Sequence, residues 1–244
     1  MQKYFDINLE FNHSCFREVI QNAISKNISG YVCIVDANVL TIAQKNCDYR
    51  NLLNKSIVNS CDGSSIAMLA SLVYNERYRA WNGPDIFNYY LKTKYSQLLL
   101  GGNDQILGEI KDKLRKEGFD NSHISLVPLP FTSVENFDYR GIAQIINRIN
   151  PDIIWVSLGA PKQEFFMNNL QPFLSRGVMF GVGAAFNFHI GRIAMPKFKI
   201  GPLRFIWISR ILSEPHKQLV RLVPYLKLIP KLYLNEKKKL KGIL

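Results

Sequence analysis

Ile153-Ile154-Trp155-Val156-Ser157-Leu158-Gly159-Ala160-Pro161-Lys162-Gln163-Glu164 is the stretch on which the fold turns. Its first six residues are apolar except for Ser157. That run is too short for a buried helix and too continuous for a strand with one wet face, so it reads as a strand covered on both sides. Gly159 ends the strand. Pro161 then suits a first helical turn, where its missing N–H costs nothing. A buried strand passing through a short glycine turn into a helix is half of a βαβ unit.

Outward from this point the same alternation recurs. The strands expected are Tyr31–Val35, Ser56–Ser60, Gln97–Leu100, Ile124–Val127, Ile153–Leu158 and Val178–Val182. The helices expected are Val39–Leu53, Ser64–Tyr74, Asp85–Lys92, Asp104–Glu117, Tyr139–Asn150 and Lys162–Leu174. This pattern predicts an α/β fold: a Rossmann-like, largely parallel sheet with helices on both faces. Ligands of such sheets bind beyond the carboxyl ends of the strands. The candidate residues there are Asp36 and Asn38, Asp62 and Gly63, Gly101 and Gly102, Gly159 to Gln163, and Gly183 to Asn187.

The chain has 244 residues with 47% hydrophobic and 20% charged side chains, which excludes disordered and collagen-like classes. No apolar run reaches the roughly 18 residues of a membrane span. The opening MQKYFDINLEF lacks the basic and then apolar regions of a signal peptide, so a cytoplasmic location is expected. Cys15, Cys33, Cys47 and Cys61 form no C-x-x-C pair, and the four histidines are scattered, so free, mostly buried thiols are expected rather than a metal site.

Charge is uneven. Of 31 Lys/Arg and 19 Asp/Glu (net +12), residues 201–244 hold ten basic and two acidic groups, or +8, leaving +4 for the rest. This basic tail is also greasy, with Leu219, Leu222, Val223, Tyr225, Leu226 and Leu228 interleaved with Arg221, Lys227 and Lys231. Such a pattern suits an anionic membrane surface. A tail whose apolar residues dock on the body is the plainer alternative. Nucleic acid is disfavoured, because no binding motif accompanies the charge. Pro215, Pro224 and Pro230 are expected to divide the tail into short helices. The domains expected are 1–200, catalytic, and 201–244, a basic amphipathic membrane-associating appendage.

Several motifs carry chemistry. Gly101-Gly102-Asn103-Asp104 after a strand could present free N–H groups to a phosphate, with Asn103 or Asp104 as the helix cap. Gly181-Val182-Gly183 resembles half a dinucleotide fingerprint but has no third glycine and no acid about 20 residues on, which disfavours a nicotinamide dehydrogenase. No Asp-x-Asp pair is present to hold a divalent ion against a sugar nucleotide, so a diphosphate would be met by arginines and helix N-termini. Asp62 is either a helix cap or a general base at a cleft mouth. Lys162, Gln163 and Glu164 crowd one helical turn with a cation, an amide and a carboxylate. A structural cap needs only one of them.

Taken in order, these pieces resemble the WecG/TagA/CpsF family of bacterial glycosyltransferases. Those that carry the resemblance are Asp36-Ala37-Asn38, Cys61-Asp62-Gly63, Asn82-Gly83-Pro84-Asp85, Leu99-Leu100-Gly101-Gly102, Gly159-Ala160-Pro161-Lys162-Gln163-Glu164, Gly181 to Phe186, Met195-Pro196, Trp207 to Arg210 and Glu214-Pro215. The resemblance implies an inverting transferase without a metal or other cofactor, peripheral on the inner face of the bacterial membrane. It would move a sugar, N-acetylmannosamine or its uronic acid, from a UDP-sugar to polyprenyl-diphosphate-linked GlcNAc for capsule, teichoic acid or common antigen. It implies Asp62 as general base, Gln163 in donor binding, and Arg210 and Arg221 as tail residues that complete the site. The arginine that precedes the N-G-P-D segment falls on Arg77 or Arg79. The chain departs from the family pattern at Asp36, where Thr is usual, at Ala184 or Ala185, where Gly is usual, at Asn187, where Asp is usual, and at His216, where another basic residue is usual. A non-catalytic, membrane-anchored UDP-binding module is the alternative from another class. A homodimer is compatible with an α/β domain of this size, and nothing in the residues demonstrates one.

Overall fold

The computed structural model describes residues 2–194, 199–200, 203–204 and 215–242. Its centre is a six-stranded parallel sheet of β3 (Ser29–Val35), β4 (Val58–Cys61), β5 (Gln97–Leu100), β6 (Ile124–Val127), β7 (Ile153–Val156) and β8 (Gly177–Gly181), in the order β4-β3-β8-β7-β5-β6. The Rossmann-like expectation therefore holds. Before the sheet, β1 (Lys3–Tyr4) and β2 (Ile7–Asn8) form a hairpin, and the chain then pairs along the outer edge of β4 at Glu10 and Ser60. Covering this edge shields backbone groups that would otherwise pair with another chain.

Alternate side chains of each strand enter two separate cores. Tyr31, Cys33, Val35, Ile154, Val156 and Met179 face one side, with α2 (Ala37–Lys45), α3 (Cys47–Lys55), α4 (Ser64–Tyr74), α7 (Tyr139–Ile149) and α8 (Lys162–Leu170). Val32, Ile34, Leu99, Trp155, Val178 and Phe180 face the other, with α1 (His13–Ser25), α5 (Gly83–Leu91), α6 (Asp104–Lys116) and α9 (Ala185–His189). That two-sided burial is why the strands read as unbroken apolar runs. Among the four cysteines, Cys33 and Cys61 are buried and Cys15 and Cys47 exposed, so the thiols are free but only half of them are buried.

Several elements differ from the sequence reading, which expected neither the β1–β2 hairpin nor α9. The helix expected over Val39–Leu53 is two, because the Asn46 side chain accepts from Tyr49 N at 2.9 Å and starts α3 afresh. Helix α1 was not among the expected elements, although Asn12 caps it and Phe16, Ile20 and Ala23 share one buried face. Within the tail, the described residues from Pro215 to Leu240 form one helix, α10 (Pro215–Leu240), which runs through Pro224 and Pro230 rather than breaking at them. An interior proline costs about 3 kcal/mol. Packing offsets this cost: Tyr225 and Leu232 are buried, Leu228 and Ile229 pack beside them, and each such side chain is worth about 1.5–3 kcal/mol when fully buried. Glu236 adds charge-assisted bonds, accepting from Phe5 N at 2.9 Å and from the Tyr74 hydroxyl at 2.8 Å. The inner face of α10 thus docks on α2 and α4.

Candidate active site

A cleft of about 280 Å³ opens at the carboxyl ends of the central strands. It is walled by residues following β3 (Asp36, Asn38), β4 (Asp62), β7 (Ser157 to Ala160) and β8 (Val182 to Asn187), with Gly83 and Pro84 of α5 and Arg221 of α10. It lies outside the carboxyl ends of the neighbouring strands β3, β8 and β7, the end of an open α/β sheet at which ligands bind.

The first turns of α2, α5 and α9 all border the cleft, so the positive ends of their dipoles face whatever enters it. Asp36 caps α2, its Oδ1 accepting from Val39 N at 2.8 Å. Asp62 does not cap the helix that follows it, since Gly63 holds that position without a side-chain bond. Its Oδ1 instead accepts from Gly83 N, the first residue of α5, at 2.7 Å, which fixes a half-exposed carboxyl at the cleft rim. The local-cap alternative for Asp62 is therefore replaced by a long-range one. Arg221, half-buried, is the one cation among the described lining residues. Only a docked α10 can place it there.

Gln163 is a nearly buried part of the cleft wall, and its amide is engaged with protein. Its Oε1 accepts from Gly159 N at 3.1 Å and from Gly183 N at 3.0 Å, and its Nε2 donates to Glu164 Oε1 at 2.8 Å. Gly181 packs so closely that an added Cβ would lie 2.8 Å from Met167 Cε and 3.0 Å from Gln163 Nε2. Gly183 adopts φ +53°, a left-handed conformation that glycine accepts readily. Ser157 Oγ also donates to Gly183 O, at 2.6 Å. Glu164 is fully buried, and its carboxyl is pushed up to about 7 by that burial, against which the bond from Gln163 pulls down. Burial likewise raises the Tyr49 hydroxyl and the Cys33 thiol, with Glu164 adding to both.

The structure thus brings Asp36, Asn38, Asp62, Gln163, Asn187 and Arg221 together on one cleft. It places the other candidates elsewhere. Lys162 turns away to donate to Thr132 O and lies over the rings of Phe131 and Phe137. Glu164 lies beneath the lining, in the core. Gly101 and Gly102, with φ of +102° and +75°, let the β5 turn pack against Ser157 and Phe186, behind the wall rather than on it. Asn103 caps α6 as expected, accepting from Ile106 N at 3.0 Å. Arg77 and Arg79 line a separate, shallower depression with His13 and Tyr78. Arg210 lies outside the described residues. The α5 N-terminus was not among the expected site residues, though Asn82 before Gly-Pro is a readable cap signature. Among the described residues, no group of three or more His, Cys, Asp or Glu side chains converges as a metal site would.

Residues 6–242 match the family model described as Glycosyl transferase WecG/TagA/CpsF family. The chain belongs to this glycosyltransferase family. A relative, the N-acetylglucosaminyldiphosphoundecaprenol N-acetyl-beta-D-mannosaminyltransferase of Bacillus subtilis (strain 168), is 26% identical over 196 residues, covering 79% of this chain and 75% of the relative. Family membership makes the chain a hexosyl-transferring enzyme, and it supports UDP-sugar-dependent transfer in cell-surface polysaccharide synthesis. The described lining of this enzyme's cleft holds two aspartates, Asp36 and Asp62, one arginine, Arg221, and the first turns of α2, α5 and α9.

Proposed function

We propose that this glycosyltransferase moves N-acetylmannosamine, or its uronic acid, from a UDP-sugar to polyprenyl-diphosphate-linked GlcNAc, with inversion and without a metal ion. The observation that carries the proposal is that Asp62 and Arg221 line one cleft, which the first turns of α2 and α5 also border. In this reading Asp62 takes the proton of the acceptor hydroxyl as its oxygen bonds to the anomeric carbon. The bond from that carbon to the UDP oxygen breaks, and UDP leaves with the electron pair. Arg221 and the first turns of α2 and α5 stabilise the charge that builds on the leaving diphosphate. Asn38 and Asn187 face the sugar.

The same proposal makes residues 201–244 a membrane-associating appendage at the inner face. Support comes from the outward side of α10, where Leu219, Val223, Leu226 and Leu234 are exposed beside Lys227, Lys231 and Lys238. Helix α4 runs alongside, joined by Tyr225 to Ser65 and by Lys237 to Val73 O, and its Met68 and Leu72 are exposed as well. Apolar residues flanked by lysines suit the headgroup boundary of an anionic bilayer. No helix among the described residues is long and apolar enough to cross a membrane.

The test is UDP release with a polyprenyl-diphosphate–GlcNAc analogue, across a panel of UDP-sugars in EDTA, for wild type and Asp62→Asn. Acceptor-dependent release with one donor, lowered roughly a hundredfold or more in the variant, is expected of a general base. UDP binding with no turnover for any donor would sink the transfer reading and leave a nucleotide-binding module.

A further inference from the structure

Gln163 and Glu164 stand side by side at the start of α8, both buried; Gln163 borders the cleft, but its amide oxygen and an amide hydrogen are bonded to protein. The amide of Gln163 has two orientations of nearly equal shape and opposite function. In the observed one, its oxygen meets the N–H groups of Gly159 and Gly183, which belong to the turns after β7 and β8. Flipped, it would set an NH2 against those two N–H groups and separate the turns. Ionised, as it is above about pH 7, Glu164 can only accept, so its Oε1 selects the orientation in which Nε2 points toward it. Tyr49 of α3 is buried nearby, and Glu164 Oε2 has no hydrogen-bond partner among the described residues.

We propose that Glu164 is a positioning residue for the transfer reaction. By fixing the Gln163 amide, it holds the two glycine turns together as one wall of the donor cleft, and the pair acts on the turns rather than on the donor itself. The inference rests on the transferase reading for its activity readout. Its structural readout, backbone hydrogen exchange, does not.

The experiment exchanges the pair. Q163E alone sets two buried carboxylates against each other. In the double variant Q163E/E164Q, the carboxylate now at position 163 accepts from both glycine N–H groups with one oxygen and from the amide now at position 164 with the other. The same bonds form with donor and acceptor exchanged. Transfer kcat/KM and UDP affinity should fall about a hundredfold in Q163E, the size of a strong coupling between touching groups, and recover to within about tenfold in the double variant. Hydrogen exchange in the segments containing Gly159 and Gly183 should rise in Q163E and return in the double variant.

A folded double variant as impaired as Q163E would overturn the proposal, because Gln163 must then offer its NH2 to the donor. Unchanged exchange in a folded Q163E would overturn it too. If Q163E does not fold, E164L, which leaves the amide without its acceptor, must raise exchange at both segments while E164Q must not. Equal exchange in those two variants also refutes the inference. If exchange follows the pair as expected but the wild type transfers no sugar, the positioning stands and the transferase reading fails.

Discussion

Replacing Glu164 with Gln should change how stability depends on pH, by an amount the structure sets. Burial raises this carboxyl from 4.5 to about 7. Below about pH 4.5 the group is protonated in both folded and unfolded chains. Between there and about 7 the unfolded chain loses the proton while the folded one keeps it, so the folded state binds more protons and its stability falls as pH rises. Above about 7 the full penalty applies. At about 1.36 kcal/mol for each tenfold, the difference between 4.5 and about 7 is roughly 3 kcal/mol. Gln cannot ionise and carries no such slope. Relative to wild type, E164Q should therefore gain about 3 kcal/mol between about pH 4.5 and pH 8. Urea unfolding at several pH values reads this out. With a slope of about 2–3 kcal/mol/M, the midpoint difference between the two proteins should change by about 1–1.5 M across the range. Comparing variants cancels groups common to both, His189 included. Parallel midpoint curves for the two proteins would refute the argument, and with it the statement that this carboxylate is held in a dry site.

Other outcomes follow from the same geometry. Arg221→Ala should weaken UDP binding about tenfold to a hundredfold, the worth of a charge-assisted contact, with little change in melting temperature; calorimetric titration checks this. Glu236→Leu should strand the Phe5 N–H and the Tyr74 hydroxyl, loosening α10. Limited proteolysis should then cut within 215–242, and transfer should fall as Arg221 leaves the cleft. Lys227, Lys231 and Lys238 changed together to Gln should lower affinity for vesicles containing anionic lipid by about a hundredfold, at about 1 kcal/mol per lysine, and leave binding of free UDP intact. Burial, and to a lesser degree Lys113, lowers the imidazole of His189 to about 4. The unfolded chain therefore takes up the proton first, and stability should fall as pH drops from 6.5 toward about 4. His189→Asn should flatten that limb.

Much of this protein is written in short-range pattern. The runs at Tyr31–Val35 and Ile153–Leu158 are apolar on both faces, and a chain can bury both faces only between helices, so the parallel sheet was legible before any contact was known. Glycines at the strand ends marked the rim on which Asp36, Asp62 and Asn187 stand. Residue order also carried the family resemblance.

What pattern alone could not decide is where a side chain finds its partner once distant turns meet. Lys162 and Gln163 are adjacent in sequence, yet one leaves the site for Thr132 and the other ties Gly159 to Gly183, because β7 and β8 are neighbours in the sheet. Glu164 looked like a polar group on a helical turn, and only the closing of α3 over it makes it a buried carboxyl. The prolines of the tail argued for breaks, since local cost is all that a sequence window registers. Docking on α2 and α4 supplies burial and hydrogen bonds that outweigh that cost, and it is this docking that delivers Arg221 to a cleft built largely from residues far from it in the chain.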